Sequence, residues 1–247
     1  MAIVRSEKRS PVPISFKFEE DIVLTSTGAV NVHIPFIVNH VDFFPSSFKL
    51  EAHKKVIFID PLVVDHEEPA DYILITHAHQ DHFSIEDIRK LLKKETIVMG
   101  PKKVYKKLSK ALMGCTIKNI TPWEKISFEA FTIESIAAYN LKSGFLTPHP
   151  KSAMNVGYII GIGGVRLYHT GDTDYIPEMD QLKDMTAVLT PIDGGNLTMS
   201  TEKAAVFINH VKPEFVIPMH YNIGTDQIAH FKGLMNRNTK MLIMDGQ

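Results

Sequence analysis

Four side chains of the kinds that bind metal ions lie within six residues, in the run His77-Ala78-His79-Gln80-Asp81-His82. Given 12 histidines in 247 residues, the chance that this spacing arises once in the chain is about 0.002. On an extended segment His77 and His79 point to the same side, while the following Asp81 and His82 address a second point nearby. A divalent cation would bind these four crowded side chains and offset the repulsion between them. The run therefore predicts a metal site and disfavours a purely structural loop.

Three further candidate ligands lie where predicted strands end in loops. His149 follows a long strand and a Gly/Pro loop, Asp172 ends a hairpin strand, and His220 ends a later strand. A single residue of this kind is more often a cap or a hydrogen-bonded core group. Together with the hexapeptide they give five histidines and two aspartates, a set that suits two ions sharing one carboxylate.

Alternating apolar segments predict the strands and helices that would position these ligands. A capping box at Ser84 and Asp87 begins one helix, and others are predicted over 104–112, from Ser200 to about Val211, and over 226–236. Gly163-Gly164 predicts a hairpin. The predicted strands are FKF, IVLTS, AVNVHIPFIV, SFKLEA, KVIFID, YILIT, TIVMG, TIKNI, KISFEAFTIESIAA, VGYIIGI, VRLYHT, AVLTPI, FVIPMH and MLIMD. Each half of the chain could form a sheet with helices on its outer face, which predicts an α/β, four-layered αββα sandwich.

The composition of the chain disfavours several kinds of partner and site. Lys+Arg 27 against Asp+Glu 28 gives a net charge of -1, which disfavours recognition of nucleic acid by a broad basic field. Cys115 is the single cysteine, so neither an intramolecular disulfide nor a cysteine-ligated zinc site is available. Without an apolar segment long enough for a membrane span or a signal peptide, we expect a cytoplasmic protein with no membrane insertion. A homo-oligomer stays open.

The motifs THAHQDH, GDTD and PMHY, with a histidine between the first two, resemble the metallo-β-lactamase superfamily. The resemblance runs from about Val30 to the end of the chain. More narrowly, AAYN, HPKSAMNVGYII, VRLYHTGDTDYIPEM and IPMHY resemble a prokaryotic branch of metal-dependent hydrolases. That branch is similar to the ascorbate-phosphate lactonases and to N-acylphosphatidylethanolamine phospholipase D.

The resemblance implies an αββα sandwich with a dinuclear site, in a single domain over 15–247 after an N-terminal tail over 1–14. It also implies that Asp60 supports the metal loop without binding metal. Pro45 stands near the place of a Gly-His-Ala/Ser turn, with His40 upstream, and this departure leaves substrate contacts from that loop open. The run DGGNLTMS departs slightly from the branch pattern, of which Thr198-Met199 keeps a part. The implied ligands are His77, His79 and His149 for one ion, Asp81, His82 and His220 for the other, and Asp172 between them.

These ligands predict a metal-dependent hydrolase. A metal-bridging hydroxide would attack an ester, lactone or phosphodiester of a small, anionic substrate, and Asp81 would accept the proton. His169 is a candidate acid or a partner of a ligand, and Lys151 and Tyr221 are candidates for orienting the substrate. The cofactors are expected to be two divalent ions, with zinc the first choice and manganese or iron open, because every ligand is a nitrogen or oxygen donor.

Three other functions remain alternatives. A ribonuclease of the same superfamily usually adds a substrate-binding arm, for which 247 residues leave little room. An iron oxidoreductase would need a flavin domain, and none fits after Gln247. A non-enzymatic protein that keeps its metals for structure alone would be indicated by lost ligands, and no ligand is missing.

Overall fold

The computed structural model describes residues 5–8, 14–33, 41–65, 68–112, 114–142 and 147–246. The chain divides into two compact units. The first comprises Met1–Asn119, Asn222–Gly224 and Met244–Gln247, and the second comprises Ile120–Tyr221 and Thr225–Ile243. The expected single domain over 15–247 stays a prediction.

The described part of the first unit contains ten strands, namely β1 (Arg5–Lys8), β2 (Ser15–Glu19), β3 (Ile22–Ser26), β4 (Val30–His33), β5 (Val41–Phe44), β6 (Phe48–Ala52), β7 (Lys55–Ile59), β8 (Tyr72–Leu74), β9 (Ile97–Gly100) and β10 (Thr116–Asn119). Seven of them form a sheet of order β10-β9-β8-β7-β6-β3-β2. Strands β7 to β10 pair in parallel, whereas β2, β3, β6 and β7 pair antiparallel. Strands β1, β4 and β5 pair antiparallel in a separate sheet.

Helices α1 (Ile85–Lys90) and α2 (Lys102–Ala111) belong to the first unit. Their apolar residues, which include Ile88, Val104 and Leu108, form one buried cluster with Ile73 and Val98 of the sheet. Full burial of each such aliphatic side chain stabilises the fold by about 1.5–3 kcal/mol. The cluster fixes strand β8, from which the hexapeptide loop departs.

The second unit holds the other seven-stranded sheet, of order β11-β12-β13-β14-β15-β16-β18. Its strands are β11 (Lys125–Ser127), β12 (Phe131–Ala137), β13 (Val156–Ile162), β14 (Val165–His169), β15 (Ala187–Pro191), β16 (Phe215–Met219) and β18 (Lys240–Met241). The other elements of the second unit are α3 (Thr201–Val211), α4 (Gln227–Leu234) and the 3-10 helices η1 (Lys151–Ala153) and η2 (Pro177–Gln181). The boundary between the units at Tyr221 and Asn222 falls within the two-residue strand β17 (Tyr221–Asn222). Strands β14, β15, β16 and β18 are parallel, so their carboxyl ends share one edge.

The structure departs from the sequence predictions at several places. The stretch KISFEAFTIESIAA forms two antiparallel strands, because the Phe128 amide donates to the Phe131 carbonyl (2.8 Å) and closes a turn. Of the last predicted strand, MLIMD, only Met241 lies in an observed strand, β18, which begins one residue earlier at Lys240. Strand β1 forms within the expected tail, against β4, whereas Pro11 and Pro13 lie outside the described residues. Strand β4 ends at His33, and the rest of its predicted run, 34–38, also lies outside them.

The Gly163-Gly164 hairpin is present between β13 and β14, and helix α3 begins at the predicted Ser200 cap. The capping box at α1 is half formed. Ser84 Oγ accepts from the Asp87 amide (3.2 Å), but the Asp87 carboxylate accepts from the amides of Val63 and Val64 (3.0 and 3.1 Å). Asp87 therefore fixes the loop after β7 to helix α1. In the described ranges, no helix is both long and apolar enough to cross a lipid bilayer.

Candidate metal centre

The hexapeptide loop leaves β8 and gathers its histidines into a tight group within the first unit. His77 Nε2 lies 3.1 Å from His79 Nδ1, and the rings of His77 and His82 have centroids 4.2 Å apart. The loop is closed by the amides of His82 and Phe83, both of which donate to the His79 carbonyl (3.2 and 2.9 Å). A ring nitrogen of His77 and one of His79 therefore face the same point, in agreement with the side expected for both on an extended segment.

Asp60 is the buried anchor of this loop. It follows β7 with a φ of 45°, and its side chain is fully buried. Its carboxylate accepts from the Thr76 amide (2.8 Å) and the Thr76 hydroxyl (2.6 Å), and lies 2.7 Å from His82 Nδ1. This is the supporting role that the family resemblance implies.

Asp172 is the centre of a second group of candidate ligands, within the second unit. One oxygen, Oδ2, lies 3.6 Å from His149 Nε2 and 3.4 Å from His220 Nε2. All three side chains are almost completely buried. His220 follows β16 with a φ of 52°, a conformation that non-glycine residues seldom adopt and that often marks functional sites. A single carboxylate oxygen thus faces two imidazoles.

Two residues of this group carried no functional prediction. Asn140 Oδ1 lies 3.1 Å from the His149 amide and 3.2 Å from His149 Nδ1, and Asn140 Nδ2 donates to the Leu197 carbonyl (3.0 Å). Asp193 Oδ2 lies 3.9 Å from His220 Nδ1. Both occur in runs that the sequence marks, AAYN and DGGNLTMS, but nothing in those runs reveals the histidine that each residue approaches.

The spacing of the donor atoms fits metal ions. Two donors that each lie about 2.1 Å from one ion at a tetrahedral angle are about 3.4 Å apart, close to the separations around Asp172 and to the 3.8 Å between Asp81 Oδ2 and His82 Nε2. The histidines also carry the partners expected of ligands: His77 Nδ1 faces the Thr76 hydroxyl at 3.0 Å, and His149 Nδ1 donates to the Leu197 carbonyl at 2.9 Å. In each case Nε2 is left to face the group.

His169 lies at the end of β14 and is buried (1% exposed). Its Nδ1 accepts a hydrogen bond from the Gly171 amide (3.3 Å), inside the turn that presents Asp172. This contact supports the turn. An acid role for His169 stays a prediction.

Lys151 and Tyr221, the two residues predicted to orient the substrate, are both engaged within the protein. The Lys151 ammonium donates to Glu178 (2.8 Å) and to the Tyr139 hydroxyl (3.2 Å). These hydrogen bonds, first that to Glu178, raise the pKa of Lys151. Tyr221 is 1% exposed. The charge of Lys151 is therefore already compensated within the second unit, and Tyr221 is a core residue.

The other histidines contact neighbours away from these groups. His53 pairs with Asp21, His210 Nε2 donates to the Asp180 carbonyl, and His230 lies 3.2 Å from Glu202. His40 and His66 lie outside the described residues, as does the side chain of His33.

Known proteins resemble the chain over most of its length. The family described as beta-lactamase superfamily domain matches residues 43–220. A UPF0173 metal-dependent hydrolase of Nanoarchaeum equitans is 33% identical over 183 residues, which are 72% of this chain and 80% of that protein.

Solved structures extend the comparison. A protein of Parabacteroides distasonis described as a metal-dependent hydrolase superposes with a TM-score of 0.77 at 27% identity, covering 96% of this chain and 100% of its own. The metallo-beta-lactamase fold protein YhfI of Bacillus subtilis gives a TM-score of 0.64 at 14% identity, covering 93% and 98%. These likenesses confirm the predicted fold class, while the narrower likeness to lactonases and phospholipase D stays a prediction.

Proposed function

We propose a reaction for this chain from its family, because it belongs to the beta-lactamase superfamily and to the UPF0173 proteins. The proposed reaction is cleavage of an ester, lactone or phosphodiester bond of a small anionic substrate with the help of two divalent ions. The family supplies the reaction class, since the relative from Nanoarchaeum equitans is named a metal-dependent hydrolase. The chain is thus a metal-dependent hydrolase, and the bond and the substrate are the proposal.

The observation that carries the proposal is the geometry of Asp172. Its Oδ2 lies within 3.6 Å of two buried imidazole nitrogens that belong to different loops of the second unit. A carboxylate that serves two ions from one position is typical of dinuclear hydrolytic sites. The predicted ligand sets are His77, His79, His149 and Asp172 for one ion, and Asp81, His82, Asp172 and His220 for the other.

Ions bound there would supply Lewis acidity, which makes water nucleophilic at neutral pH and polarises an acyl or phosphoryl oxygen. The chain's own groups complete the chemistry. Asp60 holds His82 by Nδ1 and keeps its Nε2 directed to the ligand group. Asp81 is part of the loop but its side chain is 30% exposed, so one of its oxygens can take the proton released when water attacks.

Zinc is the first choice of metal for this set of imidazole and carboxylate ligands, with manganese or iron open. Metal analysis of the purified chain is expected to give about two ions per chain. Hydrolysis is then sought across phosphodiesters, lactones and acyl esters. The double variant His79→Ala/Asp172→Ala is expected to lose metal and to abolish hydrolysis of any responsive substrate.

His230→Ala is the matched control, because this histidine is about half exposed and outside both ligand sets. It is expected to keep both ions and full activity. One ion or none after metal-replete purification, with stability unchanged by a chelator, would overturn the site. Full activity in the double variant would overturn the mechanism.

A further inference from the structure

The second unit contains a cavity of about 450 Å³ beside the His149 loop. Its walls include Asn140, Leu141 and Lys142 from the segment after β12, Tyr175 after the Asp172 turn, Asn196 from the glycine-rich loop, and Lys203 of helix α3. The volume lies within the range of about 300–1,000 Å³ that is usual for small-molecule sites. The metal ligands themselves do not line it.

The charges that face this cavity favour an anion. Lys142 Nζ donates to the amide oxygen of Asn196 (2.8 Å), and the described part of the chain offers neither Lys142 nor Lys203 an ion pair with a carboxylate. The one carboxylate in the wall, Asp174, accepts from the Leu141 amide (2.7 Å). Two ammonium groups against one carboxylate leave an excess of one positive charge.

The remaining wall carries no charged side chain, and its apolar part includes Leu141, which is 54% exposed. Burial and a hydrogen bond to Asp180 raise the pKa of Tyr175 to about 12, so its hydroxyl keeps its proton at neutral pH and adds no negative charge. An organic group of modest size can therefore pack beside the two lysines.

The cavity is linked directly to the metal centre by Asn140. This buried side chain lines the cavity, and its Oδ1 also lies within 3.2 Å of both the amide and Nδ1 of His149. A molecule bound in the cavity therefore lies one side chain from a metal ligand.

We propose that this cavity binds the anionic group of an organic ligand, a phosphate, phosphonate or carboxylate on a small apolar body, through Lys142 and Lys203. The identification of that ligand with the substrate rests on the proposed function. The binding site does not.

Calorimetric titration of the metal-replete chain with phenylphosphonate, which carries no hydrolysable bond, tests the site. Lys142→Met and Lys203→Met are each expected to weaken binding by about five- to tenfold, the loss typical of one charge-assisted hydrogen bond at a partly exposed site. Lys203→Arg is expected to stay within about twofold of the original chain. Lys183→Met, an exposed lysine of the same unit, is the matched control and is expected to change nothing.

Two outcomes would overturn the site: equal affinity in the Lys142, Lys203 and Lys183 variants, or equal affinity for neutral benzyl alcohol and for phenylphosphonate. Metal content, measured on the same samples, separates this proposal from the previous one. Lysine-dependent binding in a chain that retains no metal would support the cavity and count against the hydrolase mechanism. If the chain retains its metal but binds phenylphosphonate equally well without either lysine, the result would count against the cavity and leave the hydrolase mechanism intact.

Discussion

Three of the five histidines proposed as metal ligands have one ring nitrogen against a fixed partner, which leaves the other nitrogen to face the ligand group. The partners are the Thr76 hydroxyl for His77, Asp60 for His82, and the Leu197 carbonyl for His149. Such contacts fix the tautomer and the ring orientation before an ion binds. At the residue scale, the candidate site therefore depends on groups outside the proposed ligand sets.

Asp60→Asn tests this dependence. The amide keeps the shape of the carboxylate but removes the charge that stabilises the Nδ1–H tautomer of His82. We expect metal affinity to fall by about 10- to 100-fold, the usual cost of losing such a partner. Competition with a fluorescent chelator measures the change.

Asp65→Asn is the control for Asp60→Asn, because this exposed carboxylate pairs with Lys8 away from the loop. Its metal affinity is expected to equal that of the original chain. Unchanged affinity in Asp60→Asn would show that metal binding does not depend on the charge of the Asp60 carboxylate beside His82.

Several candidate ligands follow the ends of strands. The turn that carries Asp172 is packed closely against the neighbouring strand β13. Strand β14 ends at His169 and leads through Thr170 and Gly171 to Asp172. Gly157 of β13 lies against this turn: an added Cβ would come within 2.5 Å of the Thr170 carbonyl oxygen and 2.7 Å of that of His169. At the scale of elements, a residue without a side chain lets the hairpin and the ligand turn approach each other.

Gly157→Ala is expected to destabilise the chain by about 1–3 kcal/mol, because the backbone must move to admit the methyl group. The movement would displace Asp172 and weaken metal binding as well. Chemical denaturation and metal titration of the same sample measure both effects.

Gly233→Ala in α4 gives the opposite result for the same chemical change. An added Cβ there meets no atom within 4 Å, and alanine is favoured over glycine in a helix by about 0.5–1 kcal/mol. We expect slightly higher stability and unchanged metal binding. A loss of stability in both variants would show that the close approach at Gly157 is not what makes that position sensitive.

Across the whole molecule, metal binding and stability should be linked. Ligands that bind only the folded chain stabilise it by an amount that grows with the logarithm of their concentration relative to Kd, about 4 kcal/mol at a thousandfold excess over Kd. For a chain of this size, each kcal/mol shifts Tm by about 2–4 °C. We therefore expect a chelator to lower Tm by roughly 10 °C.

Thermal unfolding of the original chain with and without EDTA measures this shift, and His79→Ala/Asp172→Ala provides the comparison. That double variant should have a low Tm that EDTA does not lower further. An equal EDTA-induced shift in both proteins would place the stabilising ion outside the proposed ligand sets.

The sequence by itself determined the metal-binding run, the candidate ligands, most strands and helices, and the fold class. Ligand types at fixed spacing and apolar periodicity are local properties, and they can be read without knowing which segments meet. Family motifs carried the same information. The half-formed capping box shows the limit, because Ser84 and Asp87 predict a local contact and a distant loop takes the Asp87 carboxylate.

Only the tertiary structure decided which side chains support the candidate ligands and which lysines line a cavity. Asn140 and His149 are near neighbours in sequence, but the Leu197 carbonyl that both contact is 48 residues beyond His149. Lys151 forms an ion pair with Glu178, whereas Lys142 and Lys203 face a cavity. Hydrogen bonds and ion pairs between distant segments depend on packing, and side-chain type alone does not encode the partner.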